Sequence, residues 1–104
     1  MTVFGMLRVT PVTEEDVTEE IAAAIDALEE YDVSYETNPM STVVEADDVD
    51  ELLAAVGAAH RAVPGDRVST LLQIDDYRTD ELEACEKVSA VESALGREAT
   101  SERE

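Results

Sequence analysis

The chain has 104 residues, of which 26 are Asp or Glu and only 7 are Lys or Arg, so its formal net charge is −19. Such a surface lacks the basic patch that binds phosphates, so we expect neither nucleic acid nor an anionic membrane surface as a partner. The length fits a single domain with its own hydrophobic core. No apolar run approaches the roughly 20 residues of a membrane span, and no signal peptide is evident, so we expect a cytoplasmic protein.

The acidic excess predicts an adaptation to concentrated salt. Lys87 is the sole lysine, and acid-rich, lysine-poor composition is typical of cytosolic proteins from halophiles. We therefore expect a halophilic, archaeon-like source. On this interpretation the acidity reflects the solvent and carries no information about a ligand.

Hydrophobic periodicity and turn signals predict four strands and three helices. In chain order they are a strand at 2–12, a helix at 13–32 with Thr13 as N-cap, strands at 33–37 and 41–46, a helix at 47–63, a strand at 67–78, and a helix at 79–96. Residues 38–40, Asn-Pro-Met, predict a turn that joins the middle strands into a hairpin. In the last helix we expect an inward face made of Leu82, Cys85, Val88 and Leu95.

The β-α-β-β-α-β order predicts an α+β fold, a ferredoxin-like sandwich with a four-stranded antiparallel sheet and an extra C-terminal helix. We expect one domain over residues 1–96 and a polar tail at 97–104. Apolar residues occur on both faces of the first and last strands. A partner should therefore cover the face of the sheet that the two main helices leave open. This pattern predicts a homo-oligomer.

Signatures of catalysis are absent from the sequence: it has no glycine-rich phosphate loop, nucleophile elbow or HExxH motif. Its one histidine, His60, falls near a helix end, and its one cysteine, Cys85, allows no internal disulfide or Cys/His metal site. The sequence therefore predicts a protein that is not an enzyme and has neither a metal nor a cofactor.

The hairpin carries the most suggestive polar residues. Thr37 and Thr42 supply hydroxyls, Tyr35 precedes them, and Glu45 follows two valines. A buried carboxylate needs hydrogen bonds or an opposite charge, and beside hydroxyls it suits an aminopyrimidine, whose amino group donates and whose ring nitrogens accept. From these residues alone, a pocket wall and a plain hairpin both remain open.

A resemblance to a known family favours the pocket. The residues that carry it are, in order, Thr37, Met40, Thr42, Glu45, His60, Arg67, Val68, Ile74, Asp75, Asp76, Arg78, Lys87 and Val88. Their order and spacing resemble the single-domain thiamine-binding protein family over roughly residues 3–95. That resemblance implies a ferredoxin-like fold, a homodimer or homotetramer, and non-catalytic binding of thiamine (vitamin B1) or its hydroxymethylpyrimidine moiety.

The resemblance also implies a set of ligand-binding residues. The set consists of Tyr35, Thr37, Met40, Thr42, Glu45 and Arg67. Glu45 would pair with the aminopyrimidine, Tyr35 would stack on it, and Arg67 is a weaker candidate that would instead hold the hairpin or an interface. The alternative function is a structural or regulatory homo-oligomer with a protein partner and no small ligand.

Salt should stabilise the folded chain. At a net charge of −19, self-repulsion opposes the compact state, and molar salt shortens the screening length to about 3 Å. We expect the melting temperature, followed by circular dichroism, to rise steadily from dilute buffer to about 2 M KCl. A melting temperature that stays constant or falls over this range would contradict the interpretation.

Overall fold

The structure is a computed structural model that describes residues 2–79 and 83–101. Its elements are β1 (Thr2–Pro11), α1 (Thr18–Ala27), a 3-10 turn (Leu28–Glu30), β2 (Ser34–Thr37), β3 (Thr42–Ala46), α2 (Val49–Ala62), β4 (Val68–Tyr77) and α3 (Ala84–Leu95). The strands form one antiparallel sheet in the order β2-β3-β1-β4. This arrangement confirms the predicted α+β, ferredoxin-like fold with an added C-terminal helix.

The hydrophobic core lies between one face of the sheet and the helices α1 and α2. Its buried members are Val3, Leu7, Val9, Ala24, Leu28, Val44, Ala46, Leu52, Ala55, Val56, Ala59 and Val63. A Cβ atom at Gly5 would lie 3.1 Å from the Cδ1 atoms of both Leu52 and Leu72. Because Gly5 has no side chain, Leu52 of α2 can reach the centre of the sheet.

The first helix begins later than the sequence predicted. Asp16 Oδ1 accepts hydrogen bonds from the backbone N–H of Thr18 at 3.1 Å and from its hydroxyl at 2.7 Å. Thr13 Oγ1 accepts from the backbone N–H of Glu15 in a local turn, so Thr13 is not the N-cap and that prediction is wrong. Side chains of Thr and Asp compete for backbone groups in this way and delay the helix. At the start of α2, the Asp48 side chain accepts from the backbone N–H of Glu51 at 2.8 Å and caps the helix.

The other face of the sheet is covered in part by the first turns of α3. The Phe4 ring is 7% exposed and meets the Tyr77 ring edge-on, with centroids 5.9 Å apart. Lys87 Nζ lies 5.0 Å from the Phe4 centroid, 5.1 Å from that of Tyr77, and 3.3 Å from Asp75 Oδ2. Interaction with the Tyr77 side chain, and then with the Asp75 carboxylate, raises the pKa of Lys87. Lys87 is therefore a positively charged anchor for α3.

The rest of α3 stands clear of the sheet. None of its residues, Ala84–Leu95, is buried, and the predicted inward face is wrong for Cys85, Val88 and Leu95, which are exposed. Helical spacing predicts an apolar stripe, but it does not say which surface covers that stripe. Leu82, the fourth member of that face, lies outside the described residues.

A glycine ends α3. Gly96 has a φ of +75°, the left-handed conformation in which glycine is favoured, and its N–H donates to the Glu92 carbonyl. Residues 102–104 of the predicted tail lie outside the described part of the chain. In the part that is described, no helix has both the length and the apolar character to cross a membrane.

Two neighbouring leucines test the core assignment. Leu52 has no exposed surface and Leu53 is 47% exposed. Leu52→Ala should lower the free energy of unfolding by about 2–5 kcal/mol, because it removes buried methyl groups and leaves a cavity. Leu53→Ala, the matched control, should cost much less. Urea unfolding in molar KCl measures both, and equal losses would contradict the described packing.

A second prediction concerns the anchor of α3. Lys87→Met removes the ion pair and the contact with both rings, so the amides of α3 should exchange faster by roughly threefold, as expected for a half-exposed cation–aromatic contact. Hydrogen exchange followed by mass spectrometry measures this rate. Arg97→Met is the control, because Arg97 follows α3 and donates to the Glu98 carbonyl. Similar exchange in both variants would show that Lys87 does not hold the helix.

Candidate functional site

A cavity of about 460 Å³ lies between the β2–β3 hairpin and the start of α3, and we call it the hairpin–α3 cavity. Its lining residues are Ser34, Tyr35, Glu36, Val43, Glu45, Glu83, Ala84 and Cys85. A volume of this size falls within the range of about 300–1,000 Å³ that is usual for small-molecule sites. The cavity joins two parts of the chain that are far apart in sequence.

Glu45 is a lining residue of this cavity that contacts both the hairpin and α3. It lies opposite Ser34 in the β2–β3 register and opposite Phe4 in the β1–β3 register, so it projects from the face that α3 partly covers. Its Oε2 accepts a hydrogen bond from the backbone N–H of Ala84 at 3.2 Å. Its Oε1 has no hydrogen bond to another described residue. One oxygen of the carboxylate is thus fixed by the first turn of α3.

Carboxylates occupy the N-terminus of α3. The Glu83 side chain accepts from the backbone N–H of Glu86, and the Glu86 side chain accepts from the backbone N–H of Glu83. With Glu45 on the N–H of Ala84, three backbone donors of this helix start are satisfied by acidic side chains. Negative charge at this position also suits the helix dipole.

Cys85 faces the cavity but is poorly suited to nucleophilic chemistry. Its Sγ donates to Glu83 Oε2 at 3.5 Å. This hydrogen bond, followed by desolvation and the negative charges of Glu83 and Glu86, raises the pKa of the Cys85 thiol. The thiol therefore stays protonated at neutral pH, and a thiol is a much weaker nucleophile than a thiolate. His60 is hydrogen-bonded to Thr70 of β4 and does not line the cavity.

A smaller cavity of about 170 Å³ lies at the turn of the same hairpin, and we call it the hairpin-tip notch. Its lining residues are Arg8, Val9, Thr10, Ile21 and the turn residues 37–42. The hydroxyls of Thr37 and Thr42 lie 3.1 Å apart, and the N–H of Asn38 donates to the Ser41 carbonyl at 2.7 Å. These bonds close the turn, and Met40 is left 74% exposed at its tip.

The predicted site residues are divided between these two places. Thr37, Met40 and Thr42 line the hairpin-tip notch, and Tyr35 and Glu45 line the hairpin–α3 cavity. The register separates Thr42 from Glu45: Thr37 pairs with Thr42 on the face that α1 and α2 cover, while Glu45, three residues after Thr42, lies on the opposite face. It does not explain Tyr35, which is opposite Val44 and packs against the core on the α1 and α2 face although it also lines the cavity.

Tyr35 and Arg67 have structural contacts of their own. The Tyr35 hydroxyl donates to the Glu29 carboxylate, and this hydrogen bond raises the pKa of Tyr35. Arg67 lines neither cavity, and its carbonyl accepts from the backbone N–H of Val12 at 2.9 Å, next to the β1–β4 pairing. The role of these two residues toward a ligand stays a prediction.

Several lining residues of the hairpin–α3 cavity were not predicted from the sequence. Ser34 and Glu36 share the face of Glu45, which strand alternation reveals once the β2–β3 register is known. Glu83, Ala84 and Cys85 carry no comparable signal, because the position of α3 depends on contacts with the sheet. Within residues 2–79 and 83–101, no three His, Cys, Asp or Glu side chains are arranged to hold a metal ion.

Comparison with known proteins identifies relatives that match most of the chain. Residues 6–92 match the model of a family described as thiamine-binding protein. The UPF0045 protein of Methanothermobacter thermautotrophicus is 45% identical over 78 residues, which span 72% of this chain and 79% of that protein.

Solved structures agree with this match. A hypothetical protein of Methanocaldococcus jannaschii is 33% identical, with a TM-score of 0.79 over 86% of this chain and 95% of that one. A Thermotoga maritima protein, assigned provisionally to thiamine biosynthesis or salvage, is 28% identical with a TM-score of 0.70 over 88% of this chain and 99% of its own. Since the matched family span runs from the middle of β1 into α3, the chain belongs to the thiamine-binding protein family.

Proposed function

We propose that this protein binds thiamine or its hydroxymethylpyrimidine moiety, without transforming it, in the hairpin–α3 cavity. The family match and the provisional assignment of the Thermotoga maritima structure support the choice of ligand. The observation that carries the choice of site is Glu45, a partly buried carboxylate fixed by the Ala84 N–H beside a cavity of suitable size.

The cavity offers groups that match an aminopyrimidine. The exocyclic amino group of the ring would donate to Glu45 Oε1, and the Ser34 hydroxyl would donate to a ring nitrogen. Ser34 and Glu45 are opposite each other across β2 and β3, which places their Cβ atoms about 5 Å apart. Val43 and Ala84 supply apolar contact for the flat face of the ring.

A binding role without catalysis fits the thiol in the cavity. Glu83 keeps Cys85 protonated, and His60 is engaged with Thr70 of β4. A positioned nucleophile with its base is the feature that covalent catalysis needs. We therefore propose a cytoplasmic protein that transports or buffers its ligand or reports its concentration.

Self-association is the second part of the proposal. Leu71 and Ile74 of the edge strand β4 are 50% and 40% exposed, and the α3 stripe of Val88, Val91 and Leu95 is 48–54% exposed. Exposed apolar groups of this kind support a homodimer or homotetramer. They also favour the second candidate function, a structural or regulatory homo-oligomer that binds a protein partner and no small ligand.

Paired variants separate the two cavities. Glu45→Gln keeps an acceptor for the Ala84 N–H but removes the charge, so thiamine and hydroxymethylpyrimidine should bind about tenfold to a hundredfold more weakly, as expected for a charge-assisted hydrogen bond. Met40→Ala truncates an exposed side chain of the hairpin-tip notch and should leave both affinities unchanged. Calorimetric titration in molar KCl measures the affinities, with circular dichroism and size exclusion as controls for fold and assembly.

Other outcomes of the same titration assign the function differently. Loss of binding in Met40→Ala with full binding in Glu45→Gln would place the ligand in the hairpin-tip notch. Absence of binding by the folded parent protein would favour the structural oligomer.

A further inference from the structure

We infer that the hairpin–α3 cavity selects the unphosphorylated, cationic form of its ligand and rejects the phosphate esters. This inference rests on the proposed function, because it concerns which member of the thiamine group the same cavity accepts. Three observations carry it: the charge of the lining, the occupation of the α3 N-terminus, and the position of the nearby lysine.

The lining of the cavity is strongly acidic. Glu36, Glu45 and Glu83 contribute three carboxylates, and none of the described residues that line the cavity is Lys, Arg or His. The chain around it has a formal net charge of −19. Because the walls exclude part of the solvent, the charges of a concave site act on a ligand more strongly than isolated surface charges do.

Acidic side chains already accept from three N–H groups of the helix N-terminus at the cavity, which makes it a poor site for phosphate. Such a terminus usually offers unpaired N–H groups and a positive dipole end to an anion. Here Glu45 accepts from the N–H of Ala84, and Glu83 and Glu86 accept from each other's N–H groups. A phosphate placed there would displace carboxylates already bonded to these donors and would be repelled by them.

Lys87, the lysine of α3, makes its contacts away from the cavity. Its ammonium lies between the Phe4 and Tyr77 rings and 3.3 Å from Asp75 Oδ2, and it does not line the cavity. Phosphate recognition would need that charge to leave its anchor position. Among the described residues, neither the cavity lining nor Lys87 in its anchored position supplies a cation to balance a phosphoryl group.

These features predict that the cavity prefers thiamine to its phosphate esters. The thiazolium ring of thiamine carries a permanent positive charge, which the three carboxylates would attract. A phosphate monoester adds about −1.5 to −2 charges at neutral pH, which the same carboxylates would repel. Rejection by repulsion is a common source of specificity between ligands that share the rest of their structure.

Calorimetric titration of the full chain with thiamine and with thiamine monophosphate tests the inference. We expect thiamine to bind at least about tenfold more tightly at the lowest KCl concentration at which circular dichroism shows a folded protein. The ratio of the thiamine affinity to the monophosphate affinity should fall in about 2 M KCl, where charges are screened within a few ångströms.

A matched pair of variants assigns the preference to the cavity. Glu36→Gln should narrow the ratio of the two affinities, since Glu36 lines the cavity and has no hydrogen bond to another described residue. Glu14→Gln removes the same charge from an exposed position between β1 and α1, and should leave the ratio unchanged. Equal effects of the two substitutions would assign the preference to overall charge and overturn the role of the cavity.

The remaining outcomes are distinguishable. If thiamine binds and its monophosphate binds equally well or better, the inference is overturned and the proposed function stands. Binding of the monophosphate that is lost in Arg8→Gln would place the ester in the hairpin-tip notch, where Arg8 is a lining residue, and would also overturn the inference. If hydroxymethylpyrimidine alone binds, the proposed function stands and the inference is overturned. If none of the three compounds binds, the proposed function fails and the inference fails with it.

Discussion

One hydrogen bond, from the backbone N–H of Ala84 to Glu45 Oε2, joins the hairpin to a helix that follows it 39 residues later. Helix α3 buries none of its residues between Ala84 and Leu95, so polar and aromatic contacts at its first turns decide where it lies. The same bond orients the carboxylate that faces the cavity. The same contact therefore affects three features: the position of α3, the shape of the cavity and the orientation of Glu45.

The fold was predictable because it depends on hydrophobic periodicity. In α2 the buried residues Leu52, Val56 and Ala59 recur at helical spacing, as an amphipathic helix requires. Local hydrogen bonds were less predictable: Thr13 and Asp16 both suit an N-cap, and only the backbone path shows that Asp16 takes the donors of Thr18. Periodicity fixes which elements form, whereas short polar contacts decide where they begin.

The candidate site was predicted only in part, for a geometrical reason. Thr42 and Glu45 look like neighbours in the sequence, but a spacing of three residues in a strand places them on opposite faces. The walls contributed by Glu83 and Cys85 could not be predicted, because no pattern in α3 specifies the hairpin as its neighbour. The predicted inward face of α3 was wrong for the same reason. Val88 and Leu95 lie on an apolar stripe, but the sheet does not cover that stripe.

The exposed stripe on α3 has a thermodynamic consequence. One end of this helix forms a wall of the cavity, and the other end presents Val91 and Leu95 to solvent. A partner molecule that covers the stripe and a ligand that fills the cavity would both favour particular positions of the same weakly anchored helix. Their binding free energies would then be linked, and linkage is reciprocal: the factor by which assembly changes ligand affinity equals the factor by which the ligand changes assembly.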